Sequence, residues 1–431
     1  WQVDLDRLET SSIGRDLRVT GTATGTPVVL RDVLVGEVWL ASGQSNMVFT
    51  LSKSRYRWAG VINEAEEIAA ANYPLIRMFT AAEQKAYTPQ ARVDGRWEVC
   101  TPENAQAWSA VGYFFARELQ RALNVPIGIV TVAYGASTAH AWIRREAMLD
   151  DPDFKAVLDR FDEQVRGHVP PTEAEIEDWK RAVELAKAEQ RRAPARPGED
   201  PIQNQRNPAV MFNGMLAPIV PYAIRGVIWY QGESITAPRE LFPRWNELLI
   251  NDWRKLWGRE LPFYFAQLAA LDSASNSPEV RAWQAEALKV PNTGMAVTID
   301  IGERKDVHPH NKAPLGDRFA RLALANVYGQ QIAYSGPVVK SVQRDGSGLR
   351  VTFNHADGGL IAKDGPLKTF EIAGSDGKFV PADAIIRDST ILVSSPDVSE
   401  PVTVRYAWAN WPEGANLYNA AELPAAPFET Q

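Results

Sequence analysis

The sequence predicts an α/β protein: a parallel β-sheet covered by helices, flanked by β-strands at the N-terminus and followed by a C-terminal β-sandwich. Three observations predict it. Largely apolar runs recur at 33–41, 127–133, 226–230, 263–268 and 294–300. Stretches with helical periodicity alternate with them, at 110–123, 241–256, 279–288 and 315–327. After about Ser335 that periodicity gives way to short strand candidates at 349–353, 369–373, 390–393 and 402–406, divided by Asp/Gly/Ser turns. Strands that are apolar throughout are buried on both faces, which is the mark of a parallel sheet between helices. Short strands at regular spacing point to a sandwich. Ligands of such α/β sheets bind beyond the carboxyl ends of the strands.

Taken in order, residues 1–32 read as β-structure, with 16–20 and 28–30 joined across a Gly/Thr-rich turn. A lone hairpin cannot bury an apolar face, so this one is expected to belong to a larger β-unit, truncated before Trp1. Residues 33–335 read as the α/β domain, interrupted at about 145–206 by a helical insert. There Thr172 and Glu175 have the spacing of a capping box. Ile176, Trp179, Val183 and Ala186 recur on one face, and Glu177 and Arg181 are placed as an i,i+4 pair. The insert is either a solvated arm or a lid or subunit contact, and 191–208 is its extended return loop. Residues 336–431 form the C-terminal β-domain.

Composition excludes several classes of function. At 431 residues the chain exceeds one compact core. A hydrophobic content of 45% with 23% charged residues is that of a globular protein. A net charge of −7 argues against a nucleic-acid partner, and no apolar run approaches a membrane span. The single cysteine, Cys100, rules out an intrachain disulfide and a cysteine-rich metal site.

The chemistry gathers at predicted strand ends. In Gly36-Glu37-Val38-Trp39-Leu40-Ala41-Ser42-Gly43-Gln44-Ser45-Asn46-Met47 an apolar strand stops at small and polar residues, and Ser45 lies just past the break. A serine hydroxyl needs a base to become a nucleophile, and histidine is the usual one. Five histidines are available: His140, His168, His308, His310 and His355. His168 lies in the charged insert and His355 in the β-rich tail. His308, in Asp306-Val307-His308-Pro309-His310, follows the last predicted sheet strand and so reaches the edge that carries Ser45. Asp306 is near enough to orient the imidazole, as a third triad member must. Oxyanion donors are offered by Tyr134-Gly135-Ala136-Ser137 and by Gln231 in Trp229-Tyr230-Gln231-Gly232-Glu233-Ser234. Ser42, Ser137 and Ser234 compete with Ser45. Met47 replaces the final glycine of Gly-x-Ser-x-Gly, so an α/β-hydrolase elbow is not supported. Glu233 is either an acceptor behind the site or a rival acid. His140 and Trp142, beyond the second strand, are placed as substrate contacts. His308, His310 and Asp306 do not complete a metal shell, and no metal is expected.

These residues resemble the sialate O-acetylesterase family, carbohydrate esterases of the SGNH-hydrolase fold. The resemblance rests on 36–47 and 227–234, with Ser109-Ala110-Val111-Gly112-Tyr113-Phe114, Phe212-Asn213-Gly214-Met215, Asp306-Val307-His308-Pro309, and, in the tail, 404–408 and 416–419. It implies a three-layer, flavodoxin-like sheet and a cofactor-free serine esterase that removes O-acetyl groups from carbohydrates, either sialic acid or an acetylated oligo- or polysaccharide. Ser45 would be the nucleophile and His308 the base, with the Ser45 backbone, Gly135 and Gln231 as oxyanion donors. Many SGNH hydrolases space acid and histidine as Asp-x-x-His; here the spacing is Asp-x-His. Asp300 or a backbone carbonyl therefore rivals Asp306. Resemblance also implies a secreted or periplasmic location. Two alternatives stand beside it: a carbohydrate-binding protein on an esterase-like scaffold, and acetyl transfer to a sugar acceptor, which uses the same residues and differs only in the acceptor. Arg144 and Arg304 are candidates for contacting a substrate carboxylate.

Overall fold

The computed structural model describes residues 5, 6, 8–21, 25–235, 238–356 and 358–430. Strands β1 (Ser11–Val19) and β2 (Val28–Val35) pair as an antiparallel hairpin. Part of the turn expected between them, at 22–24, lies outside the described residues. Ile13, Leu17, Val28 and Leu30 of this hairpin are exposed. Its apolar side chains thus find little to pack against, as expected of a two-stranded unit.

Gly36 separates β2 from β3 (Glu37–Gly43), and β3 is the middle strand of a seven-stranded sheet. On one side of it lie β6 (Ile127–Ala133), β4 (Tyr73–Thr80) and the edge strand β5 (Trp97–Cys100); on the other lie β7 (Gly226–Tyr230), β8 (Phe263–Ala266) and β9 (Thr293–Ala296). All pairings are parallel except β4 with β5. The chain adds strands first on one side of β3 and then on the other. Loops leaving β3 and β7 therefore part in opposite directions, which opens a crevice at their carboxyl ends.

Alternation along β3 decides what covers the sheet. Trp39 and Ala41 face a cluster built with Tyr113, Phe114 and Phe115 of the helix Ala110–Leu123 and Leu315 and Phe319 of the helix Ala313–Asn326. Leu40 faces the opposite cluster, with Trp245, Leu249 and Trp253 of the helix Phe242–Trp257 and Phe154, Leu158 and Phe161 of the helix Pro152–Arg166. Truncating a buried aromatic such as Trp39 to alanine costs roughly 3–5 kcal/mol in sites of this kind.

The insert forms the helix Glu173–Ala188 with both arms of the capping box in place: Thr172 N–H donates to Glu175 Oε2 at 2.8 Å and Glu175 N–H to Thr172 Oγ1 at 3.3 Å. The expected Glu177–Arg181 pair is replaced by two i,i+3 pairs, Lys180 with Glu177 and Arg181 with Asp178. Of the apolar stripe only Ala186 is fully buried. The return loop covers part of the rest, since Trp179 Nε1 donates to the Pro194 carbonyl at 3.0 Å.

In the tail, strands Val338–Asp345, Gly348–Asn354, Thr390–Ser394 and Asp383–Arg387 make one antiparallel sheet, and Val380–Pro381, Phe370–Ala373, Thr403–Tyr406 and Phe428–Glu429 another. Val351 and Ile391 of the first share a core with Ile372 and Val404 of the second. The fold is thus mixed α/β, with a mostly parallel central sheet and additional antiparallel sheets.

Candidate active site

Strand register brings the expected loops to one level. Gly43 pairs with Ala133 of β6 and Tyr230 of β7, so the next residues, Gln44, Tyr134 and Gln231, leave the sheet side by side. A side chain at Gly43 is excluded twice: φ is +137° and a Cβ would lie 2.1 Å from the Tyr230 carbonyl oxygen. The Gln44 N–H takes that oxygen at 2.9 Å. Ser45 then opens the short helix Ser45–Val48, half-buried and, among the described residues, with no hydrogen bond to its hydroxyl. Two rival serines are already committed: Ser42 Oγ donates to the Val132 carbonyl at 2.5 Å and Ser137 Oγ to the Tyr134 carbonyl at 2.8 Å. Gly135 stands beside Ser45, since a Cβ there would sit 3.8 Å from Ser45 Cβ.

Asn46 joins the serine loop to the histidine loop. Its Nδ2 donates to Glu233 Oε1 at 2.6 Å and to the Val307 carbonyl at 3.0 Å, and its Oδ1 accepts from Lys312 Nζ at 2.5 Å. Ser45 and His308 are therefore each one residue from the two ends of a single hydrogen bond. Direct bonding between Ser45 and His308 is absent among the described residues, and catalytic hydrogen bonds in unliganded enzymes are often long.

The His308 ring lies against Trp58, with centroids 4.3 Å apart. Burial pushes its pKa down to about 4, with the Lys312 charge acting in the same direction and Asp306 opposing. Asp306 Oδ1 accepts the His308 backbone N–H at 2.9 Å and lies 3.6 Å from Nδ1. That separation is an ion-pair contact rather than a hydrogen bond. The rival acid is occupied elsewhere: Asp300 pairs bidentately with Arg318 at 2.7 and 2.6 Å.

The remaining expected residues have other work. Gln231 is 1% exposed, and its Nε2 donates to the Ser234 carbonyl at 2.9 Å and the Ser137 carbonyl at 3.4 Å. His140 and Trp142 are 4% and 0% exposed, so they sit beneath the Gly135 loop rather than in an open pocket. His140 Nε2 meets the Arg206 carbonyl at 2.8 Å, and Trp142 Nε1 donates to Ser137 Oγ at 2.9 Å. Arg144 is tied to the buried Asp252, and Arg304 to Asp272 and Glu413. Burial of its carboxyl raises the pKa of Glu233, and among the described residues its Oε2 finds no hydrogen-bond partner. Glu303, Asp306 and His310 bring one ligating atom each within 4.8 Å of one another. His310 Nδ1 and N–H both meet Glu303 Oε1, at 2.9 and 2.7 Å.

Sequence reasoning missed Trp58, Asn46 as a bridge, and Lys312. Trp58 carries no local signal, whereas Lys312 stands four residues past His308 and Asn46 directly follows Ser45.

An uncommitted serine and a half-buried imidazole at the carboxyl edge of a parallel sheet fit one class: an ester hydrolase. The chain belongs to the carbohydrate esterase family described as sialic acid-specific acetylesterase, whose model matches residues 35–174 and 203–325. The gap between the two matched segments falls in the helical insert. A sialate O-acetylesterase of Rattus norvegicus is 29% identical over 99% of this chain and 83% of its own length. The Homo sapiens sialate O-acetylesterase is 27% identical over 93% of this chain and 76% of its own. A carbohydrate acetylesterase of Xanthomonas citri, solved as a crystal structure, is 33% identical, with a TM-score of 0.79 over 96% of this chain and 85% of its own. The protein is accordingly a carboxylic ester hydrolase of the carbohydrate acetylesterase kind. Among the described residues no helix is long and apolar enough to cross a membrane.

Proposed function

We propose that the chain removes O-acetyl groups from carbohydrates, sialic acid or an acetylated oligo- or polysaccharide, through an acetyl-Ser45 intermediate. One observation carries the reading: Asn46 ties the residue beside Ser45 to the residue beside His308, at the carboxyl edge of the sheet. Ser45 Oγ attacks the acetyl carbonyl while His308 takes its proton through Nε2, because Nδ1 faces Asp306. The imidazolium then protonates the departing sugar oxygen, leaving acetyl-Ser45. Water attacks the acetyl group with His308 again as base, and acetate leaves.

The backbone N–H groups of Ser45 and Gly135 serve as oxyanion donors; neither has a backbone acceptor among the described residues. Gln231 acts third, trading its long bond to Ser137 for the oxyanion. Asp306 orients and balances His308, which its present 3.6 Å separation supports only as an ion pair. No metal or organic cofactor enters the scheme. Residues 33–335 make the catalytic unit, a three-layer SGNH-type domain, between the N-terminal strands and the 336–431 β-domain. An exported, secreted or periplasmic setting fits the resemblance.

Free acetate released from acetylated xylan, acetylated hexosamines and O-acetyl sialic acids by wild-type and Ser45→Ala protein tests the reading. Ser45→Ala should lose release by about 10⁴-fold or more on every substrate that the wild type accepts. Undiminished release by Ser45→Ala would sink it.

A further inference from the structure

The Asn46 bridge depends on a buried ion that the ester mechanism does not use. Lys312 is 1% exposed and rests on the rings of Phe49 and Tyr230, 4.6 and 5.4 Å from their centroids. A lysine ammonium only donates, so the atom of Asn46 that meets it must be Oδ1. That choice turns Nδ2 the other way, where two acceptors wait, Glu233 Oε1 and the Val307 carbonyl. With the amide flipped, the ammonium would face an N–H₂ group, and two carbonyl-type oxygens would face Oδ1. Only one orientation lets the amide donate to both acceptors and accept from the ammonium, the matching that a buried polar network favours.

We propose that Lys312 is a positioning residue: acting through the Asn46 amide, with Glu233 as the buried countercharge, it clamps the Ser45 helix to the His308 loop. This rests on the esterase reading above. The clamp joins three loops far apart in sequence, since Asn46, Glu233 and Val307 follow three different strands of the sheet. A misplacement of about 1 Å between reacting groups costs on the order of 100-fold in rate, so the clamp acts on kcat rather than on substrate binding.

Charges facing this pocket come from each packed loop: Glu233, Glu303 and Asp306 raise the pKa of Lys312, while burial lowers it to about 7. Lys312 in turn lowers the pKa of His308. Its removal should therefore do two separable things, loosen the geometry and raise the pKa at which His308 titrates.

The test uses the full chain with 4-nitrophenyl acetate and an organophosphonate probe. Lys312→Met should reduce kcat by about 100-fold with KM within about threefold, slow phosphonate labelling of Ser45 in parallel, and move the acidic limb of the pH–rate profile upward. A role confined to folding would change the melting temperature and leave the limb in place. Asn46→Asp keeps the size and the contact to Lys312 but removes both donated hydrogen bonds. It should lose kcat similarly, and it decides the matter if Lys312→Met does not fold. Wild-type kcat and labelling in folded Asn46→Asp, or an unmoved limb in folded Lys312→Met, would overturn the clamp. Failure of the probe to label wild-type Ser45 would instead overturn the esterase reading.

Discussion

At the scale of single residues, the site turns on how an imidazole is kept neutral. His308 is held neutral down to about pH 4 chiefly by burial. A general base works deprotonated, so activity should rise with pH through the folded-state value, below the 6.5 of a free histidine. The expected profile of kcat/KM for an aryl acetate has its acidic limb well under pH 6; a limb at 6.5 or above would contradict this placement of His308. Asp306 opposes the downward shift, so Asp306→Asn should move the limb lower still. Its cost should be about 10-fold rather than the roughly 10⁴-fold of a fully engaged triad acid, because 3.6 Å is too long for a hydrogen bond. Steady-state kinetics across pH measures both effects. The position of Ser45, His308 and Gly135 at the carboxyl edge of the sheet was legible because each follows a strand whose end the apolar pattern marks. The burial of Trp142 and His140 was not legible by that logic, since lying after a strand does not say which way a ring points. Trp142 points inward, to Ser137.

At the scale of elements, the sharp end of β3 is the feature on which the site depends. Gly43→Ala meets both a positive φ and a backbone oxygen that cannot move without shifting β7. It should be severely destabilising, by about 3 kcal/mol or more, visible as a large drop in the thermal unfolding midpoint. Gly135→Ala makes the instructive contrast: its added Cβ would find only ordinary contact with Ser45 Cβ. That protein should melt within a few degrees of wild type, and a collapse of its midpoint would show that the loop is packed differently. Strands β3, β6 and β7 could be read directly because they are mostly apolar. Strands β4 and β5 were not read, because Pro74 and Arg77 break the apolar run of β4 and β5 has only four residues. Arg77 reaches Asp32 of the N-terminal hairpin, at 2.7 Å.

At the scale of the molecule, the C-terminal sheets are wired into the domain that carries the site. Arg281 is fully buried, yet among the described residues no carboxylate pairs with it. Its guanidinium donates instead to the carbonyls of Leu268 and Ala269, behind β8, and of Ala409 and Asn410, in the tail. Burial lowers its pKa to about 10. Tyr418 adds a contact to Asp300, 3.4 Å away, at the base of the histidine loop. Arg281→Met would take the guanidinium away from four carbonyls and should destabilise by roughly 3–5 kcal/mol. Hydrogen exchange should then show lost protection around 268–269 and 409–410 together; loss on one side alone would contradict the clamp between them. The tail was legible as short strands, but its attachment was not, because a buried arginine held only by backbone carbonyls leaves no pairing partner in the sequence.

The central claim is that Ser45, activated by His308, is the nucleophile. Its most direct test is mass spectrometry of the intact protein after an organophosphonate, followed by peptide mapping. One adduct per chain is expected, on Ser45, formed orders of magnitude more slowly in His308→Ala. An adduct on Ser42, Ser137 or Ser234 that tracks the loss of acetate release would contradict the account, as would full esterase activity in protein whose Ser45 is completely labelled.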